Sequence, residues 1–74
     1  MPSVPVLKPQ EVVRAFEKLG WEAVRQKGSN IIMTKKGHIA TLSIPNHSEV
    51  ARGTMRRLIA RADITLEEFI GVCD

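Results

Sequence analysis

The sequence predicts an α+β fold in the order α-β-β-β-α, followed by a short additional helix. Apolar residues recur at helical spacing before Gly20 and again after Gly53. Between them, residues 21–27 alternate weakly, residues 30–35 have an apolar centre, and residues 38–44 alternate clearly, which predicts three strands. Short connections between three consecutive strands favour a three-stranded antiparallel sheet. We expect the helices to pack on one face of this sheet, which leaves its other face free to meet a ligand.

The chain has 74 residues and a net charge of +3. This size suits a single domain over residues 1–74, in which two prolines near the start predict an extended leader over residues 1–7. The charge favours an anionic partner, which is a nucleic acid, an acidic protein or a membrane surface, and does not choose among them. No apolar run reaches the roughly 18 residues of a membrane span, and Cys73 is the only cysteine, so we expect a cytoplasmic protein without a membrane partner. Two histidines, one late cysteine and no clustered carboxylates do not give the spacing of metal ligands, so we expect no metal site. We also expect no cofactor.

The first helix is predicted to begin near Pro9, because proline is tolerated in the first turn of a helix. Its apolar stripe comprises Val12, Val13, Phe16 and Leu19. Gly20 is placed to end this helix in a left-handed conformation. Trp21, directly after the helix, is interpreted as a partly buried anchor rather than a platform on which bases stack.

Three strands are predicted, over residues 21–27, 30–35 and 38–44. Gly28 suits a tight bend between the first two, and Lys36-Gly37 suits a turn between the last two. In the third strand, alternation places His38, Ala40, Leu42 and Ile44 on one face and Ile39, Thr41 and Ser43 on the other. His38 is interpreted as an exposed residue at the edge of the sheet.

Residues 46–52 are predicted to form a polar connector, with room for one helical turn after Ser48. Thr54 is then a candidate N-cap for a second helix. Its apolar stripe comprises Met55, Leu58, Ile59 and Ala62, and Asp63-Ile64 ends it. Thr65 and Glu68 have the spacing of a capping box, which predicts a short last helix that buries Leu66, Phe69 and Ile70.

Several cationic side chains are candidate contacts for the phosphates of RNA, because phosphate binding requires cations that are spread over a surface. They comprise Arg25, Lys27, Lys35, Lys36, Arg52, Arg56, Arg57 and Arg61. Arg25 and Lys27 point to the same side of a strand. His47 is a further candidate, since its loop leads to the positive end of a helix. The competing interpretation of these charges is an ordinary solvated surface.

Three segments in order resemble the HicA toxin family: RQKGSNII over residues 25–32, IPNH over residues 44–47, and GTMR over residues 53–56. The helix end at Leu19-Gly20-Trp21 and the tail over residues 62–69 also fit, so the resemblance covers residues 8–70. It implies a fold similar to the double-stranded-RNA-binding domain, the dsRBD. It also implies the toxin half of a bacterial toxin–antitoxin pair, which cleaves mRNA without a metal and is neutralised by a HicB-like antitoxin that covers the active site.

The sequence departs from the family at one position. The family motif Gly-Ser-His ends in the catalytic histidine, whereas this chain has Gly28-Ser29-Asn30. Histidine titrates near neutral pH and transfers protons, but an asparagine amide only donates and accepts hydrogen bonds. Loss of a positioned general acid–base typically costs about 10²–10⁴-fold in rate. The resemblance therefore implies a ribonuclease scaffold that is weakened or inactive, with Ser29 orienting the reacting group and Asn30 at the catalytic position.

Two explanations of Asn30 stay open. It is either an introduced change that disarms a toxin, which we favour, or the natural residue of a protein that only binds RNA or that uses His47 or His38 instead. The alternative function is a non-catalytic RNA-binding or protein-interaction module of the same fold, and a third hypothesis is an interaction domain without a nucleic-acid role. Because so small a hydrophobic core gives a monomer only marginal stability, a homo-oligomeric state is also a possibility.

Overall fold

The computed structural model describes residues 4–73, so the first three residues of the predicted leader and Asp74 lie outside the described part. Its elements are α1 (Pro9–Lys18), β1 (Trp21–Lys27), β2 (Asn30–Lys35), β3 (Thr41–Pro45), α2 (Arg52–Arg61) and α3 (Leu66–Val72). The predicted α+β order with an additional C-terminal helix is confirmed. The bounds of β1 and β2 are those that the sequence predicted.

The three strands form an antiparallel sheet in the order β1-β2-β3, which confirms the predicted meander. β1 is an edge strand, and the pairing register shifts between Ala23 and Arg25. This β-bulge leaves Val24 outside the ladder and 47% exposed. A bulge of this kind protects an edge strand from pairing with another chain.

The helices cover one face of the sheet: α1 contacts β1 and β3, and α2 contacts β3. The side chains on this closed face are those of Trp21, Ala23, Gln26, Ile31, Met33, Lys35, Leu42 and Ile44. Met33, Leu42 and Ile44 are completely buried there and join Phe16 of α1 and Phe69 of α3 in one hydrophobic cluster. Burial of such side chains is the main favourable term in folding.

The ends of the helices follow the sequence signals. The carboxylate of Glu11 accepts a hydrogen bond from the backbone N–H of Lys8 at 2.9 Å, and Pro9 is the first residue of α1. Gly20 follows that helix with φ of +97°, as predicted. The capping box before α3 is also confirmed: Thr65 Oγ1 accepts from the N–H of Glu68 at 3.1 Å, and Glu68 accepts from the N–H of Thr65 at 2.9 Å.

The predicted start of the third strand at His38 is wrong, because β3 begins at Thr41. The ring of His38 packs against Trp21, with 5.1 Å between ring centroids, and its Nδ1 accepts the N–H of Ala40 at 3.1 Å. His38 is therefore half-buried in a loop and is not an exposed edge residue. Trp21 is only 2% exposed, so it is more deeply buried than predicted.

The predicted N-cap at Thr54 is also wrong, because α2 begins at Arg52 with Ala51 as its N-cap. The cause lies just upstream. The backbone N–H of Val50 donates to the carbonyl of Leu7 at 2.8 Å, which holds the connector in an extended conformation up to α2. No helical turn follows Ser48. Val50 is completely buried, although its segment was predicted to be polar, and Val4 of the predicted leader is 5% exposed and belongs to the core.

Between residues 4 and 73, no helix combines the length and the apolar character that a bilayer crossing requires.

Candidate functional site

The open face is the side of the sheet that faces away from the helices, and it consists of three cross-strand rows. Residues paired directly across antiparallel strands project to the same face. The rows contain Lys27, Asn30 and Pro45; Arg25, Ile32 and Ser43; and Glu22, Thr34 and Thr41. Ile32 is 8% exposed but lies outside the hydrophobic cluster, as its position on this face requires.

Asn30 lies in the first row, between Lys27 of β1 and Pro45 of β3, and is partly exposed. A two-residue connection, Gly28 and Ser29, joins β1 to β2 directly before Asn30. Gly28 has φ of +60° while Ser29 has a negative φ, which is the pattern of a type II′ hairpin turn. The predicted tight bend at Gly28 is confirmed, and it places Asn30 at the end of the open face.

A backbone hydrogen bond holds the loop after β3 against this turn. The backbone N–H of Asn46 donates to the carbonyl of Ser29 at 2.7 Å. Since Ser29 directly precedes Asn30 and Asn46 directly precedes His47, one backbone hydrogen bond brings two separate motifs of the sequence together. His47 is exposed beside this attachment point.

The charge on the open face is positive near Asn30. Lys27 is in the same row, Arg25 is in the next row, and both side chains are exposed. Glu22 is the only acidic residue among the nine positions and lies in the third row. Within the three rows, therefore, the two cations lie nearer to Asn30 than the carboxylate does.

Lys35 and Lys36 lie at the opposite end of β2 from Asn30. Lys35 pairs with Trp21 on the closed face, and its Cε lies so close to Gly20 that a Cβ there would be 3.2 Å away. Lys36 is exposed in the turn that follows β2. The structure does not bring these two lysines to Asn30, and their contact with RNA stays a prediction.

The four arginines of α2 flank the sheet instead of joining a row. Arg52 Nε donates to the carbonyl of Val4 at 3.0 Å, and Arg61 Nε donates to that of Thr41 at 2.8 Å. Arg56 and Arg57 are exposed. A guanidinium has five N–H donors, so one internal hydrogen bond leaves donors for a phosphate. Their role in RNA binding stays a prediction.

Sequence reasoning assigned no site role to Thr34 or Ser43, which the structure places on the same face as Asn30. For Ser43 the signal was the alternation of β3, since Ser43 falls between the buried residues Leu42 and Ile44. β2 has no such alternation, because Ile32 and Met33 are both buried, so the position of Thr34 had no comparable signal. The bond between Asn46 and Ser29 had no local signal. Among residues 4–73, no three His, Cys, Asp or Glu side chains gather closely enough to hold a metal ion.

No curated protein matches this sequence. The model of a protein family, described as the HicA toxin of bacterial toxin–antitoxin systems, matches residues 9–64. The matched segment contains α1, the whole sheet, α2 and both motifs that meet at Asn30. Because the match extends over most of the chain, the chain belongs to the HicA family of bacterial toxin–antitoxin toxins.

Proposed function

We propose that this chain is an mRNA-directed toxin whose open face binds RNA and whose cleavage centre is weakened by Asn30. One observation supports this proposal above the others. Asn30, which the resemblance aligns with the family's catalytic histidine, lies beside Lys27, where the Asn46–Ser29 hydrogen bond joins two motifs. The Gly28 turn and the Ser29 carbonyl hold that position in place.

RNA cleavage without a metal proceeds by attack of a ribose 2′-oxygen on the adjacent phosphorus. The P–O2′ bond forms, the P–O5′ bond breaks, and the products carry a 2′,3′-cyclic phosphate and a 5′-hydroxyl. A base takes the 2′-hydroxyl proton, and an acid delivers a proton to the departing 5′-oxygen. The Asn30 amide forms hydrogen bonds to a phosphate oxygen but neither takes nor delivers a proton.

Arg25 and Lys27 supply the electrostatic part of the site. Two residues along a strand span about 7 Å, which is close to the distance between neighbouring phosphates in an extended strand, so the two cations follow an RNA backbone that crosses the rows. The same positive surface suits an acidic HicB-like antitoxin. Such a partner neutralises the toxin, in the cytoplasm, by covering the open face.

The test is restoration of the missing imidazole. We expect Asn30→His to raise the rate of mRNA cleavage by about 10²–10⁴-fold and to arrest bacterial growth when antitoxin is absent. The measurement is cleavage of a defined RNA in the presence of a chelator, together with growth after induction.

Thr34→His is the matched control, because it places a histidine on the same strand and the same face but two rows from Asn30. This variant is expected to cleave no faster than the unmodified chain. If Asn30→His also brings no gain in cleavage or growth arrest, position 30 is not the catalytic one and the proposal fails.

A non-catalytic RNA-binding module is the second candidate, and the chemistry of Asn30 itself favours it. This function predicts RNA affinity that falls steeply with salt and no cleavage after Asn30→His. The two candidates therefore give opposite results in one experiment.

A further inference from the structure

We infer that His47 is a proton-transfer residue of the same site, and this inference rests on the RNA-cleaving function proposed above. The chain has only two histidines, and the structure places them at opposite ends of the sheet. His38 is half-buried against Trp21, and its Nδ1 is occupied by the N–H of Ala40. His47 is exposed at the end where Asn30 lies.

The backbone sets how far His47 is from Asn30. The N–H of Asn46 reaches the carbonyl of Ser29 at 2.7 Å, and that carbonyl belongs to the peptide group that also contains the nitrogen of Asn30. One further Cα–Cα step of about 3.8 Å leads from Asn46 to His47. The Cα atoms of His47 and Asn30 are therefore within roughly 10 Å, a gap that two side chains and one phosphodiester fill.

The attachment also limits how the loop moves. Pro45 has a fixed φ and pairs with Asn30, and Asn46 is held by its hydrogen bond, so the two residues before His47 are fixed relative to the turn at Gly28. A general base requires such positioning, since it acts only within hydrogen-bond reach of the proton that it takes.

In the chain as it stands, His47 takes the 2′-hydroxyl proton while the 2′-oxygen attacks phosphorus. The P–O5′ bond breaks, and the departing 5′-oxygen receives its proton from water, since Asn30 supplies none. In Asn30→His the second imidazole delivers that proton. The unmodified chain is then a slow ribonuclease that depends on His47, and the variant is a faster one that depends on both groups.

The experiment replaces His47 in the Asn30→His protein, where cleavage is fast enough to measure accurately. We expect His47→Ala to lower kcat by about 10²–10⁴-fold. Affinity for an RNA with a 2′-deoxy sugar at the cleavage site, which cannot be cut, should stay within about twofold. Added free imidazole should restore part of the lost kcat, because it supplies the proton acceptor that the side chain provided.

His47→Lys separates proton transfer from phosphate binding, because lysine keeps a cation at the same place. This variant should remain as slow as His47→Ala. A rate near that of the parent, or a loss confined to KM, would assign His47 to phosphate contact and overturn the inference. His38→Ala, measured in the same background, should leave kcat within about twofold when circular dichroism shows it folded.

The two proposals fail in different ways. An active Asn30→His protein that is indifferent to His47→Ala overturns this inference alone and leaves the function intact. An inactive Asn30→His protein overturns the proposed function, and the role of His47 falls with it.

Discussion

Leu42 and Ser43 are neighbours on β3, yet the side chain of Leu42 is completely buried and that of Ser43 is exposed. The same contrast runs across the sheet, with Met33 on the closed face and Asn30 and Arg25 on the open face. The closed face supplies the stability of the domain through contacts with the helices. Because stability is supplied there, polar and charged residues stand on the open face at little cost, and this is the face that we propose for RNA or an antitoxin.

The sharpest test of this contrast is to truncate each neighbour in turn. Leu42→Ala should lower the free energy of unfolding by about 2–5 kcal/mol, because it leaves a cavity among completely buried side chains. A core of this size rarely supplies more than about 3–5 kcal/mol, so this variant should be largely unfolded. The measurement is urea denaturation followed by circular dichroism.

Ser43→Ala, one residue along, should change the free energy of unfolding by less than about 0.5 kcal/mol. Equal losses at Leu42 and Ser43 would mean that the open face also contributes to stability, and the division between the faces would be wrong.

Most of the fold was predictable because glycines mark the ends of its elements. Gly20, Gly28 and Gly37 all have positive φ and lie at the end of α1 or in the two hairpin connections, so the bounds of β1 and β2 could be read directly. The start of β3 could not be predicted from the sequence in this way. Alternation continues through His38 and Ala40, but only pairing with β2 decides where a strand begins, and Thr34 pairs with Thr41.

The start of α2 was mispredicted for a related reason. Thr54 has the right chemistry for an N-cap, but the long-range bridge between Val50 and Leu7 already holds the chain extended up to Ala51. The separate sequence motifs of the site were predictable, but their contact was not. The motifs around Asn30 and His47 were visible in the sequence, whereas the hydrogen bond that joins them depends on the register of the finished sheet.

The turn at Gly28 decides which face each side chain of β2 occupies, since a slip of one residue would exchange the two faces. Gly28→Ala meets no neighbour within 4 Å, so the backbone alone opposes it. At φ of +60° an alanine costs about 1–2 kcal/mol, and we expect unfolding to become easier by that amount. Chemical denaturation measures this loss.

Gly71→Ala is the matched control for that variant. Gly71 lies in α3, also has no atom within 4 Å of an added Cβ, and does not have a positive φ. Here alanine should stabilise the protein by about 0.4–1 kcal/mol. If both variants shift stability in the same direction, the turn at Gly28 is not the conformational constraint that sets the register.

The smallest expected effect is a change in the salt dependence of RNA affinity. It is measured by replacing two lysines of the sheet, one on each face. Lys27 projects from the open face beside Asn30, whereas Lys35 projects from the closed face beside Gly20. If RNA lies on the open face, Lys27→Gln removes a phosphate contact and should reduce the slope of log affinity against log salt by about 0.7. Lys35→Gln carries the same change in net charge, so an effect of overall charge alone would lower both slopes equally.

A larger change at Lys27 than at Lys35, measured by fluorescence anisotropy with an uncleavable RNA, assigns the binding to one face. The reverse order would move the RNA to the other end of the sheet, away from Asn30 and His47.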